Sequence, residues 1–130
     1  MDFKDAWNIA VAEITPQPWD YTTSDGTLTV IPAGLRASKD EAEVVIRVNE
    51  TEEWVKTPDV QHLIDALTAG ESWTSVWSGW GTEVTVADGG VTVAVWEHGV
   101  AASVTLPPEQ RLPLASAFAR AYDVARAWEG

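Results

Sequence analysis

The chain has 130 residues, no cysteine, and a formal net charge of −12 from 20 acidic and 8 basic residues. Its length predicts one domain, and its 45% hydrophobic and 22% charged residues are typical of a globular protein. The missing cysteines exclude disulfides, thiolate nucleophiles and cysteine-ligated zinc, and the negative charge disfavours direct binding of nucleic acid.

The first predicted element is a helix over residues 2–14, for which Asp2 is a suitable N-cap. Its apolar residues recur at helical spacing and form one face: Phe3, Trp7, Ala10, Val11 and Ile14. Pro16 and Pro18 end the pattern, because proline cannot continue a helix. This start lacks the features of a signal peptide, and no apolar run approaches the ~18–20 residues of a membrane helix, so we expect a cytoplasmic protein.

A first unit of three strands and a helix is predicted over residues 26–69, after the turn signal Ser24-Asp25-Gly26. Alternating polar and apolar residues predict strands over 27–31, 43–48 and 52–56. Thr57-Pro58-Asp59 predicts a helix start, because proline is favoured at the first helical position. The buried stripe of this helix is Val60, Leu63, Ile64 and Leu67, and Gly70 is a plausible stop.

Residues 70–81 are interpreted as a tryptophan-rich linker, and a second unit of three strands and a helix follows over 82–129. Turn signals at 88–90 and 98–99 predict strands over residues 82–86, 91–96 and 100–106. The last helix is predicted to start at Pro107-Pro108-Glu109. Its buried stripe is Leu114, Phe118, Ala121, Ala125 and Trp128.

These elements predict an α+β fold of order α-βββ-α-βββ-α, with antiparallel sheets and helices packed on one face. The two βββα units share one layout at low sequence identity, which suggests a pseudo-twofold repeat or a coincidence. The layout resembles that of small acidic secretion-chaperone-like proteins and of whirly-type and coactivator-type binders of single-stranded DNA. Such a resemblance in element order does not give function, and the charge opposes the second group.

The sequence offers no constellation for catalysis, a metal or a cofactor. Its two histidines, His62 and His98, lie on a helix flank and in a turn, and no serine nucleophile motif accompanies them. The acidic runs lack the glycine and ligand spacing of a calcium loop. We therefore predict a protein that is not an enzyme and has neither a metal nor a cofactor.

Acidic residues concentrate between residues 40 and 71, where nine acids and two bases give −7 of the total charge. Glu50, Glu52 and Glu53 are predicted to present a row of carboxylates that attracts a basic partner and accelerates its approach. The alternatives are an edge strand that charge protects against aggregation, and an acidity that serves solubility alone.

Tryptophan is the second unusual feature, with eight residues against two Phe and two Tyr. Because tryptophan is enriched at binding hot spots, we select the following as candidate binding residues: Trp54, Trp73, Trp77, Trp80 and Trp96. Trp96 has the opposite parity to Val91, Val93 and Val95, which predicts that it lies on the other face of its sheet. The alternative is a second small core under the predicted linker.

Taken together, these features predict a non-enzymatic acidic module that binds a basic protein, as an inhibitor, immunity-type or anti-defence factor, chaperone or adaptor would. Two alternatives stay open: a structural subunit that forms homo-oligomers through its tryptophans, and a small-molecule or sugar binder with a tryptophan-lined cleft. The abundance of Ala, Val and Trp suggests a high-GC bacterial or phage source.

Overall fold

The computed structural model describes residues 19–24, 26–32 and 43–128 of the chain. The predicted helix over residues 2–14 lies outside these ranges. The elements in chain order are strands β1 (Trp19–Thr23), β2 (Gly26–Pro32), β3 (Glu43–Val48) and β4 (Thr51–Lys56), helix α1 (Thr57–Ala69), strands β5 (Trp73–Trp77), β6 (Trp80–Ala87), β7 (Gly90–Glu97) and β8 (Val100–Leu106), a 3-10 turn (Pro108–Gln110) and helix α2 (Arg111–Trp128).

The strands form two antiparallel four-stranded sheets, with orders β1-β2-β3-β4 and β5-β6-β7-β8. Each sheet is a meander that is followed directly in the chain by a helix. The predicted α+β class is confirmed, and each half contains one strand more than the three we predicted. Among the described residues, no helix combines the length and the apolar character that crossing a membrane requires.

The two additional strands are β1 and β5, and β5 corrects the prediction of a linker over residues 70–81. Each pairs with the next strand through a tight turn, since Thr23 lies opposite Gly26 and Trp77 lies opposite Trp80. In the second turn Ser78 and Gly79 have φ values of 54° and 80°, as a two-residue hairpin of the favoured twist requires. The Ser-Gly pair is therefore a hairpin turn rather than part of a flexible connection.

Helix α1 starts where the sequence predicts, with proline in its first turn and Asp59 beside the positive end of the helix dipole. It ends at Gly70, whose left-handed backbone (φ 76°) lets its own N–H bond to the Leu67 carbonyl and the N–H of Glu71 bond to the Ala66 carbonyl. The Arg111 guanidinium at the start of α2 donates to the carbonyls of Leu67 and Thr68, which ties the two helices together.

One hydrophobic cluster joins both sheets and both helices. Leu28, Val30, Val44, Ile46 and Val48 contribute from the first sheet, where direct cross-strand partners share one face. Val84, Val93 and Val104 contribute from the second sheet in the same way. The largest side chain of the cluster, Phe118 of α2, is fully buried, so the helices cover the inward faces of the sheets.

Candidate functional site

Strand β4 carries three of the selected residues at the outer edge of the first sheet. Its register pairs Glu52 with Arg47, Glu53 with Ile46 and Trp54 with Val45, so Glu52 and Trp54 share one face and Glu53 lies on the other. Glu50 lies in the exposed turn before the strand. Because successive side chains of a strand point to opposite faces, Glu52 and Glu53 do not form a row along one face of the sheet.

Glu52 belongs to a charge network on the face that it shares with Trp54. The Arg47 guanidinium donates from Nε and NH2 to Glu52 Oε2 at 3.1 and 2.8 Å, and Trp54 Nε1 donates to Oε1 at 3.4 Å. The hydrogen bond from Arg47, and then that from Trp54, hold the pKa of the Glu52 carboxyl below its ordinary value. Glu52 therefore holds the Trp54 ring and is already bonded to two donors.

The two sheets meet beside this network. The backbone N–H of Glu52 donates to Glu97 Oε1 at 3.3 Å, so a carboxylate at the end of β7 bonds to the outer edge of β4. Around this junction lies a groove of about 350 Å³, which we call the acidic groove. Its lining residues are Glu43, Glu52, Glu53, Trp54, Trp80 and Glu97. Four glutamates and two tryptophans, from both faces of β4 and from the second sheet, thus line one groove, and none of these lining residues is a base.

A second cavity adjoins the acidic groove, since Glu53 and Trp54 line both. This inner hollow of about 180 Å³ lies between β4, β5 and β6, and Trp73, Lys56 and Thr82 are among its lining residues. Thr82 is buried, with 1% of its surface exposed, and its Oγ1 has no hydrogen-bond partner among the described residues. A buried hydroxyl without a partner is costly, which makes Thr82 a candidate contact for a bound polar group.

The turns of the second sheet hold Trp77 and Trp80 at its end. The Gly99 N–H donates to the Gly79 carbonyl at 3.0 Å, which joins the β5–β6 turn to the β7–β8 turn. The Trp80 ring contacts His98 edge to face at a centroid distance of 4.3 Å. Trp77 is 82% exposed, Trp80 43% and the neighbouring Val100 70%. We call these three residues the tryptophan platform, an ordered apolar surface next to the acidic groove.

The other two selected tryptophans occupy different surroundings. Trp73 is half-buried and packs against the hydrophobic core, while it also lines the inner hollow. Trp96 lies opposite Gly81 and Ala101 and outside the core cluster of Val91, Val93 and Val95, so the prediction of its parity is confirmed. Its indole N–H is buried and has no hydrogen-bond partner within the part of the chain that the structure describes. Trp96 thus belongs to the opposite face of the second sheet from the acidic groove and the inner hollow, which together we call the cleft.

Sequence reasoning missed three residues of this region, namely Glu43, Thr82 and Glu97. Glu43 is a buried carboxylate, with 7% of its surface exposed, at the start of β3. The sequence around Glu43 does not mark it as a site residue, because a single glutamate at the end of a strand is common. Glu97 and Thr82 belong to the second sheet and reach β4 through tertiary packing.

Among the described residues, no group of three or more His, Cys, Asp or Glu has an arrangement that could hold a metal ion. Comparison of the chain with protein-family models, with curated proteins and with solved structures finds no significant match. The function must therefore be argued from the cleft itself.

Proposed function

We propose that the protein is a non-enzymatic binding module that engages a basic partner protein, as an inhibitor or adaptor does. The observation that carries this proposal is the meeting of four glutamates and two tryptophans in one groove beside an exposed tryptophan platform. Apolar rings supply contact area and the carboxylates select for Lys and Arg, a combination that suits recognition of a basic protein surface.

Electrostatics supports the choice of a basic partner. The chain carries a net charge of −12, and the acidic groove adds a local concentration of carboxylates on that background. A field of one sign accelerates the encounter with an oppositely charged protein and rejects partners of like charge. Because exposed charges are screened over about 10 Å at 0.1 M salt, binding that depends on this field weakens as salt is added.

The tryptophan platform supports a protein rather than a free ion as the partner. Trp77 is 82% exposed although its backbone belongs to a hairpin, so exposure of this ring is a property of the fold. Exposed apolar groups that are clustered and held by rigid turns are typical of interaction surfaces. Tryptophan also contributes much of the energy at protein interfaces when it enters a pocket of the partner.

The test is capture of a partner from the host lysate, followed by reconstitution with the purified partner. We expect a stoichiometric basic protein that a salt step releases and that rebinds to the purified chain. Trp80→Ala and Glu53→Gln should each weaken that reconstituted complex, by roughly 1–2 kcal/mol for a tryptophan near the centre of the interface.

Glu109→Gln is the matched control for charge, because Glu109 is an exposed acid of the 3-10 turn and does not line the groove. Equal affinities of the wild type, Trp80→Ala and Glu53→Gln for a reconstituted partner would refute the assignment of the groove. A stoichiometric partner that is acidic, or binding that does not respond to salt, would refute the class of partner.

A second candidate, a homo-oligomer, is favoured by strand β5. This strand closes one edge of the second sheet, and its sequence Trp-Thr-Ser-Val-Trp contains no charged residue. Uncharged edge strands are prone to pair with another chain. Light scattering separates the candidates, because this one requires a defined multimer without partner, and Ser75→Lys should then yield the monomer.

A further inference from the structure

The acidic groove and the inner hollow differ in chemistry although Glu53 and Trp54 line both. The acidic groove is lined by four glutamates and no base, whereas the inner hollow is lined by Lys56 together with the acids Glu53 and Asp59. A cation is therefore favoured more strongly in the groove than in the hollow. At about 180 Å³ the inner hollow is also smaller than the roughly 300 Å³ at which small-molecule sites begin.

Thr82 provides an independent indication of a ligand. Its hydroxyl is buried and has no partner, and the residue lines the inner hollow. An apolar side chain of the same shape, such as valine, would avoid the cost of burying an unpaired hydroxyl. A neutral polar group bound in the hollow, whose lining already pairs acids with a base, would satisfy the hydroxyl.

We propose that the cleft binds one extended segment of the partner, with an arginine side chain in the acidic groove and polar main chain against Thr82 in the inner hollow. This inference rests on the proposed function and specifies which chemical groups of the partner the cleft would bind.

Arginine is favoured over lysine by the walls of the groove. Trp54 and Trp80 both line it, and a planar guanidinium stacks on indole rings while its N–H groups bond to carboxylates. Glu53 and Glu97 supply carboxylates from the two sheets, so the guanidinium would bond to both. An ammonium is a compact, strongly hydrated charge that uses neither the stacking surface nor the paired geometry.

The experiment titrates the full chain with N-acetyl-Gly-Arg-Gly-amide and follows the indole N–H resonances by NMR. The lysine and citrulline versions of the peptide are the comparisons, because citrulline keeps the shape of arginine without its charge. We expect shifts at Trp54 and Trp80 and about tenfold or more weaker binding of the citrulline peptide, since hydrogen bonds between charged groups are lost. The lysine peptide should bind several-fold more weakly than the arginine peptide.

Variants at Thr82 separate a ligand contact from a structural role. Thr82→Val should raise the melting temperature of the protein, because it removes an unpaired buried hydroxyl, and should weaken the arginine peptide about fivefold. Thr82→Ser keeps the hydroxyl and should retain the affinity. Glu97→Gln should weaken binding, whereas Glu109→Gln, which makes the same charge change away from the cleft, should stay within about twofold.

Equal binding of the three peptides, or an unchanged affinity in Thr82→Val, would overturn the inference. The proposed function and this inference are rejected by different outcomes. If a basic protein binds through Trp77 while the peptide does not bind, the inference alone is lost. If the peptide binds as expected and no basic protein is found, the cleft is an arginine site and the proposed function is lost.

Discussion

Strands β4 and β5 each form the edge of a sheet beside the same hollow, and they differ in character. β4 has three charged residues among six, and β5 has none among five. The outer edge of β4 also donates a backbone N–H to Glu97 of the other sheet. Charge and pairing protect β4 against contact with a further strand, whereas β5 presents an uncharged edge.

This difference separates two roles within one cleft. β4 supplies fixed charge, because Arg47 and Trp54 hold Glu52 in one position. β5 and its turn supply apolar surface, because Trp77 is exposed at the end of a tight hairpin. Under the proposed function, such a surface would suit a partner with basic and apolar groups side by side, and the following changes test each contribution.

The largest expected effect comes from Gly81, at which β6 pairs with β5. Its φ is 135°, and a Cβ at this position would overlap the backbone carbonyl oxygen of Ser75. Gly81→Ala should therefore break the pairing of β5 and lower the free energy of unfolding by about 3 kcal/mol. Denaturant unfolding measures this loss of free energy. Gly89→Ala is the control, since no atom lies within 4 Å of its Cβ position, and an equal loss in both variants would contradict the explanation.

The two tryptophans of β5 should differ in their contribution to stability. Trp73 is half-buried and packs against the core, so Trp73→Ala should cost about 2 kcal/mol, less than a fully buried tryptophan. Trp77→Ala, at a position that is 82% exposed, should stay within about 0.5 kcal/mol. Thermal unfolding of the two variants measures the difference, and similar losses would show that Trp77 packs in solution and is not available to a partner.

The smallest expected effect concerns the charge network of β4. The pKa of Glu52 is lowered in the folded protein, so its ionised form stabilises the fold above about pH 4.5, and this contribution is lost as the pH falls through the folded pKa. Glu52→Gln should cost about 0.5–1 kcal/mol at neutral pH, because the pair is partly exposed.

The difference in free energy of unfolding between Glu52→Gln and the wild type should narrow as the pH falls below about 4.5 and through the lowered pKa of Glu52. Chemical denaturation of both proteins at several pH values measures this difference in the free energy of unfolding. Glu50→Gln, in the exposed turn, should leave stability unchanged over the same range. A gap that widens on acidification would contradict the assigned pairing with Arg47.

Signals for the two missed strands were present in the sequence. Trp19 and Tyr21 alternate with polar residues before a turn, and in the fold their rings stack at 6.1 Å on the core side of β1. Ser78-Gly79 between Trp77 and Trp80 matches a two-residue hairpin. Both signals were obscured because the residues around these aromatic side chains are Asp, Thr, Ser and Gly, which are also typical of loops.

The α+β class, the strands around Val44, Ile46 and Val48, and helix α1 followed from the sequence alone, because side-chain periodicity is a local property that burial of one face imposes. The cleft was decided by tertiary structure. Glu53, Glu97 and Thr82 come from strands far apart in the chain, and packing of one sheet against the edge of the other brings them together. No local pattern records such a contact, since it depends on how two separately formed sheets share a single core.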